Sequence, residues 1–183
     1  MTCIAGISKG NTVWLGGDSA ATDGRLNRTI ISDPKVFVRG KLAFGVCGMP
    51  KVLDALAHVI ELPVQKKGDT DRSFLVGELV PAIREGLKKM DCTYESGEYG
   101  TCFQGKILIG YRSKLYELEG NFQLILAAQG FMAVGSGGEA AMGSLRVTKD
   151  VRDPHKRIMM ALQTSSEANA GVAPPFVVVK VKG

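Results

Sequence analysis

The sequence predicts an α+β fold, a four-layer αββα sandwich, on three observations. Strand-like runs open the chain, two helical runs follow, and strands, two helices and a last strand then complete it. Consecutive strands are joined by short Gly or Asn turns, the signature of antiparallel hairpins rather than of βαβ crossovers. The two pairs of helical segments give each of two sheets one helical layer to cover it.

Each element has its own local reason. Residues 3–7 and 12–15 are apolar and β-forming around the turn Lys9-Gly10-Asn11, so they predict a hairpin that begins at the N-terminus and runs into Gly16-Gly17-Asp18. Val36-Phe37-Val38, the turn Arg39-Gly40-Lys41 and Leu42–Val46 predict a second one, the last run being continuous enough for a buried strand. After Pro50 the period changes: Val52, Leu53, Leu56, Val59 and Ile60 recur at helical spacing until Pro63. Leu75, Val76, Leu79, Ile83 and Leu87 mark a second helix that Pro81, which lacks a backbone donor, is expected to kink. The stretch from Asp91 to Gly100 reads as a polar connector. Cys102-Phe103, Lys106–Tyr111, Leu115–Leu118 and Met132–Val134 read as a meander. Glu139–Val147 suits a short helix. Asp153-Pro154 places a capping side chain before a proline, opening a helix to about Asn169, and Phe176–Val181 supplies the closing strand.

Composition narrows the function. A chain of 183 residues with 45% hydrophobic and 22% charged residues is expected to form one domain, residues 1–183, with little room for disorder. The N-terminal residues lack the basic start and apolar stretch of a secretory signal, and no run approaches the ~18 apolar residues of a membrane span, which predicts a cytoplasmic protein with no membrane partner. Cys3, Cys47, Cys92 and Cys102 form no CxxC pair, so reduced structural thiols are expected rather than a zinc cage. His58 and His155 have no ligand at metal spacing, and no metal or other cofactor is called for. The net charge of +5 is scattered, without interleaved aromatics, which argues against a nucleic-acid partner. Gly135-Ser136-Gly137-Gly138 lacks the ending of a phosphate-binding loop and reads as a tight helix entry.

The residues that carry chemistry stand at fixed distances from Thr2. Asp18 in Gly16-Gly17-Asp18-Ser19 lies sixteen residues beyond it and Gly48 forty-six, with Ala21-Thr22, Lys35 before Val36-Phe37, and the Gly135–Gly138 loop in between or after. On these motifs together, the sequence resembles the proteasome β-subunit family of N-terminal-nucleophile (Ntn) hydrolases, including the bacterial HslV peptidase; Lys35 needs a one-residue insertion. The resemblance spans nearly the whole chain.

It implies a threonine protease. Removal of Met1 before a small residue would leave Thr2 as nucleophile, with its own α-amino group as base. That amine has a reference pKa of about 7.7–8.0, which a nearby Lys35 ammonium would lower by like-charge repulsion. Asp18 would anchor Lys35, the Gly48 N–H would face the oxyanion, and Ser136 would support the amine. The family's final acid and serine have as their best counterparts Glu167 and Ala170: glutamate keeps the charge one methylene further out, and alanine lacks the hydroxyl, for which Ser165 or Ser166 would compensate. Val46 at the floor and Ala21 on the wall of the pocket preceding the cleaved bond predict cleavage after apolar residues, not after acidic or basic ones, while Thr22 and Gly48 would pair with the substrate backbone as an added strand.

The resemblance further implies polypeptide substrates, a homo-oligomeric ring of six or seven subunits, stacked with a second ring, and an ATP-dependent unfoldase as partner. Two other readings compete. A catalytically inactive ring subunit is suggested by Glu167 and Ala170, and a small-molecule Ntn amidohydrolase would use the same fold. Cys3 as nucleophile would require loss of Thr2 as well, and the spacings count from Thr2.

Overall fold

The first sheet is built around the N-terminal hairpin. In the computed structural model, which describes residues 1–23 and 27–183, β1 (Ile4–Lys9) and β2 (Thr12–Gly17) pair from Ile4↔Gly17 to Lys9↔Thr12 around Gly10, whose φ of +58° suits the tight turn. Two later strands flank this hairpin, giving the order β12-β1-β2-β13 with β12 (Phe131–Val134) and β13 (Val177–Lys182). The second sheet contains β5 (Val36–Arg39), β6 (Leu42–Gly48), β9 (Gly105–Tyr111), β10 (Lys114–Leu118) and β11 (Leu124–Leu126), in the order β11-β10-β9-β6-β5. Every pairing is antiparallel.

Period-two alternation explains how the sheets stack. Along β1, Ile4 faces the second sheet among Val13, Val36, Ala43 and Leu108, while Cys3, Ala5 and Ile7 face helices through Ala141, Leu145, Ile158 and Leu162. Along β6, Ala43 and Cys47 face the first sheet, and Leu42, Phe44 and Val46 face Val52, Leu56 and Ile83 on the other helical layer. Both strands are thus buried on two faces, the reason their sequences read as continuous apolar runs. The layers are helices, sheet, sheet, helices, as the sequence predicts.

One helical layer comprises α1 (Pro50–Asp54) with a π-helical turn at Ala55–Val59, then α2 (Asp71–Phe74), a second π turn at Leu75–Leu79, and α3 (Val80–Lys89). Thr70 caps α2 by accepting from Ser73 N at 3.1 Å. The distortion expected at Pro81 takes the form of the π turn just before it. An i→i+5 turn gives the ring room where it would crowd the preceding carbonyls. At the end of the first π turn, Arg39 Nη1 donates to the carbonyls of Leu56 (2.6 Å) and Ile60 (2.7 Å), which helix termination leaves without partners. The other layer is α4 (Gly138–Val147) and α5 (Pro154–Ala168), with Asp153 Oδ1 accepting from His155 N at 2.9 Å at the start of α5.

Two expectations need correction, and one small sheet was not foreseen. The polar connector contains β7 (Thr93–Ser96), which pairs with β8 (Gly100–Phe103); Tyr94 and Glu95 are exposed, so no apolar alternation betrays the strand. The meander runs only through β9, β10 and β11, because β12 crosses to the first sheet beside β1. A short hairpin of β3 (Ala20–Thr22) and β4 (Arg28–Ile30) adds a small sheet that three-residue strands gave no pattern to reveal. Among the described residues, no helix is long and apolar enough to cross a membrane.

Candidate active site

The strand pairings bring the distant motifs to one edge of the sandwich. Thr2 lies two residues before β1, and the Ile4↔Gly17 pairing places Asp18, just past β2, beside it. The Ile4↔Val134 pairing on the other side brings up Gly135 and Ser136. Lys35 directly precedes β5, and Gly48 is the last residue of β6. Five strand ends therefore converge, and none of their functional side chains needs a long loop to hold it.

Asp18 is the anchor. It is 1% exposed, and its carboxylate accepts from Cys3 N and Lys35 Nζ on Oδ1, both at 2.9 Å, and from Ala20 N (3.0 Å) and Ala173 N (3.4 Å) on Oδ2. Such a set of donors satisfies a buried carboxylate without water. Lys35, 6% exposed, also lies within hydrogen-bond distance of Ala20 O (2.6 Å), Thr2 Oγ1 (3.2 Å) and Met1 O (3.3 Å). The cation is thereby fixed against the threonine hydroxyl.

Thr2 is linked to Met1 by a peptide bond, and its amide N donates to Ser136 Oγ at 3.1 Å while its Oγ1 donates to Met1 O at 2.7 Å. The Met1 α-ammonium donates to Thr22 Oγ1 at 2.7 Å. The loop presenting Ser136 is held from three sides: Gly137 N donates to Thr2 O (3.2 Å), Ser165 Oγ to Gly137 O (3.0 Å) and Asn169 Nδ2 to Ser136 O (3.1 Å). Gly135 has φ +93°, and a Cβ there would stand 2.2 Å from Thr2 O. Gly48 has φ +111°, and a Cβ there would meet Gln104 O at 2.3 Å, so only glycine fits.

Thr2, Asp18, Lys35 and Ser136 are thus in direct contact, and Gly48, Ala21, Thr22 and Val46 line the cleft that opens beside Thr2. Glu167 is not brought to them. It is exposed on α5 and its Oε1 accepts from Gln163 Nε2 at 3.0 Å. The residue that reaches the corner is Asn169, which sequence reasoning passed over. It closes α5 and turns the chain by accepting from Gly171 N at 2.9 Å, a role typical of asparagine just past a helix. Ser165 supports the Ser136 loop rather than the amine. The Cys3 thiol is pushed up to about 11, chiefly by burial, with the Asp18 charge adding to it against the Ser165 hydrogen bond and Lys35; a thiol so held is a poor nucleophile.

No family model matches the chain, and a search of curated proteins finds no match. Solved structures do match. Thiobacillus denitrificans BPH in complex with epoxomicin is 15% identical, over 99% of this chain and 98% of that one, with a TM-score of 0.77. The eukaryotic HslV of Trypanosoma brucei is 18% identical over 100% of both chains, with a TM-score of 0.70.

The chain has the proteasome-type Ntn-hydrolase fold.

Anbu, an ancestral beta-subunit from Yersinia bercovieri, matches at 12% identity over 99% of this chain and 82% of that one, with a TM-score of 0.68. Within the Ntn-hydrolase fold, the edge where β1, β2, β5, β6 and β12 end is the one that holds the Thr2 cluster here. Among the described residues, no group of three or more His, Cys, Asp or Glu side chains is placed to hold a metal ion.

Proposed function

We propose that the chain is a threonine endopeptidase that acts once Met1 is removed. The observation that carries this reading is the contact of Thr2 Oγ1 with Lys35 Nζ, itself fixed by Asp18, next to Ser136 at the Thr2 nitrogen. While Met1 remains, that nitrogen is an amide and cannot accept a proton. Its loss converts the nitrogen into an amine, neutral over part of the working pH range, with Ser136 Oγ at hydrogen-bond distance.

The amine then takes the proton of Thr2 Oγ as the oxygen bonds to the substrate carbonyl carbon. The carbonyl oxygen becomes an oxyanion, for which the Gly48 N–H is the proposed donor. Collapse breaks the C–N bond, the proton passes from the Thr2 ammonium to the leaving amine, and an ester remains on Thr2. Water, deprotonated by the same amine, hydrolyses that ester and restores the hydroxyl. Lys35 keeps positive charge beside the nucleophile throughout and favours the neutral amine.

Val46 and Ala21 support an apolar pocket for the side chain before the cleaved bond, and Thr22 a backbone-pairing role along the substrate. Glu167, given its position, has no part in the chemistry proposed. The resemblance to HslV supports assembly as a cytoplasmic homo-oligomeric ring, with an ATP-driven unfoldase delivering polypeptide substrates. An intact mass of the purified protein reports whether Met1 is gone. Reaction with a threonine-directed epoxyketone, followed by peptide mapping, is expected to label Thr2. Labelling elsewhere, or a Thr2→Ala protein that cleaves fluorogenic peptides at the wild-type rate, would overturn the reading.

A further inference from the structure

The cleft beside Thr2 has a volume of about 340 Å³ and two kinds of wall. Val46, Ile31, Met49 and Leu53 supply apolar surface, and Asp33 and Asp54 supply carboxylates. Both aspartates are exposed toward solvent, and neither is engaged by a hydrogen bond or a cation among the described residues. The cation that also lines the cleft, Lys35, is almost fully buried and already paired with Asp18. Among the described residues, the cleft therefore presents two unpartnered carboxylates together with apolar surface.

We infer that this cleft selects side chains with an apolar stem and a cationic end, so that cleavage falls after arginine and lysine in preference to purely aliphatic residues. The inference rests on the peptidase reading but replaces the selectivity for apolar and against basic residues that Val46 and Ala21 alone suggest. Lysine and arginine lay their methylenes along apolar surface and keep the charge at its edge, and this cleft offers both kinds of surface. Arginine gains more, because its planar fork donates two parallel hydrogen bonds to a carboxylate where an ammonium acts as a point charge. An acidic side chain would meet like charge, while the lysine that lines the cleft, Lys35, is already paired with Asp18. For partly exposed carboxylates each pairing is expected to raise kcat/KM by about two- to fivefold, and both together by about tenfold.

The test uses the processed full-length protein and peptides that differ only in the residue before the cleaved bond: arginine, lysine, norleucine or glutamate. Arginine is expected to exceed norleucine in kcat/KM by about tenfold at low salt, with lysine between them and glutamate lowest. The advantage should shrink as salt rises. In the Asp33→Asn/Asp54→Asn protein the arginine-to-norleucine ratio is expected to fall to near one. A wild-type ratio of one or less, or a ratio that the double variant leaves unchanged, overturns the inference. Labelling of Thr2 by the epoxyketone tells the two failures apart: with Thr2 labelled, only the pocket assignment falls, and with Thr2 unlabelled and no peptide cut, the peptidase reading falls and takes this inference with it.

Discussion

Asp18→Asn isolates the anchor from the chemistry. The substitution is nearly isosteric, but it removes the charge facing Lys35 and replaces one acceptor oxygen with an NH2 group in a pocket where all four neighbours, Lys35 Nζ and the amides of Cys3, Ala20 and Ala173, are donors. At least one donor must then face another donor with no water to relieve it, since Asp18 is 1% exposed. Breaking a buried pair by removing one partner costs about 3–5 kcal/mol, and the unsatisfied donor is part of that figure rather than an addition to it. For a chain of this size each kcal/mol lowers Tm by roughly 2–4 °C, so a fall of about 6–20 °C is expected. Urea unfolding followed through the single tryptophan, Trp14, measures the loss, at one protein concentration for all variants so that assembly does not bias the comparison. The double variant Asp18→Asn/Lys35→Met, which removes both charges, is expected to lose less than the sum of the two single changes. A loss below about 1 kcal/mol in Asp18→Asn, or strict additivity in the double variant, would refute the view that a buried ion pair holds this edge of the sandwich together.

Three further outcomes can be measured. Gly135→Ala is expected to leave the fold intact yet reduce peptide cleavage by about a hundredfold, because its Cβ would press within 2.2 Å of Thr2 O and displace either the nucleophile or the Ser136 loop; wild-type rates would contradict this. Gly143→Ala, where the added Cβ meets nothing, serves as control and should stabilise α4 by about 0.4–1 kcal/mol in urea unfolding. The Cys3 thiol, raised from 9.0 to about 11 mainly by burial, binds its proton more tightly in the folded than in the unfolded chain. Its contribution is therefore complete below pH 9 and lost as pH climbs toward 11, amounting to about 2–3 kcal/mol at most. Urea midpoints measured from pH 8 to 10.5 should fall less steeply in Cys3→Ala than in wild type, and an identical slope would rule the effect out.

Much of the site is legible in the sequence because it hangs on local geometry. A tight turn at Gly10 forces Ile4 opposite Gly17, so once residues 4–17 read as a hairpin, Asp18 has to lie beside the residues preceding Ile4. The same logic holds for Lys35 and Gly48, which bracket the β5–β6 hairpin at its open end. Long-range pairings are another matter. That β12 leaves the meander and adds to β1 is a long-range pairing, made although β11 also leaves an open edge, and nothing in Phe131–Val134 states it. The two carboxylates of the cleft were likewise hidden, since Asp33 lies before β5 and Asp54 ends α1, and only the fold brings both to the lining of one cleft.

The misassignment of Glu167 has a different origin, because here the sequence held the answer and residue counting obscured it. Ile158, Ala161, Leu162 and Ser165 are the buried stripe of α5 and follow one another at i, i+3, i+4 and i+7. At 100° per residue, Glu167 is rotated about 200° from Ser165 and must face solvent, where Gln163, four residues earlier, meets it. Asn169, four residues after Ser165, returns to the inward side. Ser165 and Asn169 grip successive carbonyls of the Ser136 loop, at Gly137 and at Ser136 itself. The helix period therefore selects which residues reach the loop: a serine and an asparagine, both neutral, in place of a carboxylate. The corner beside the Thr2 nitrogen is accordingly shaped by hydrogen bonds from neutral side chains, and the charged side chain that reaches Thr2, at its hydroxyl, is Lys35 with its partner Asp18.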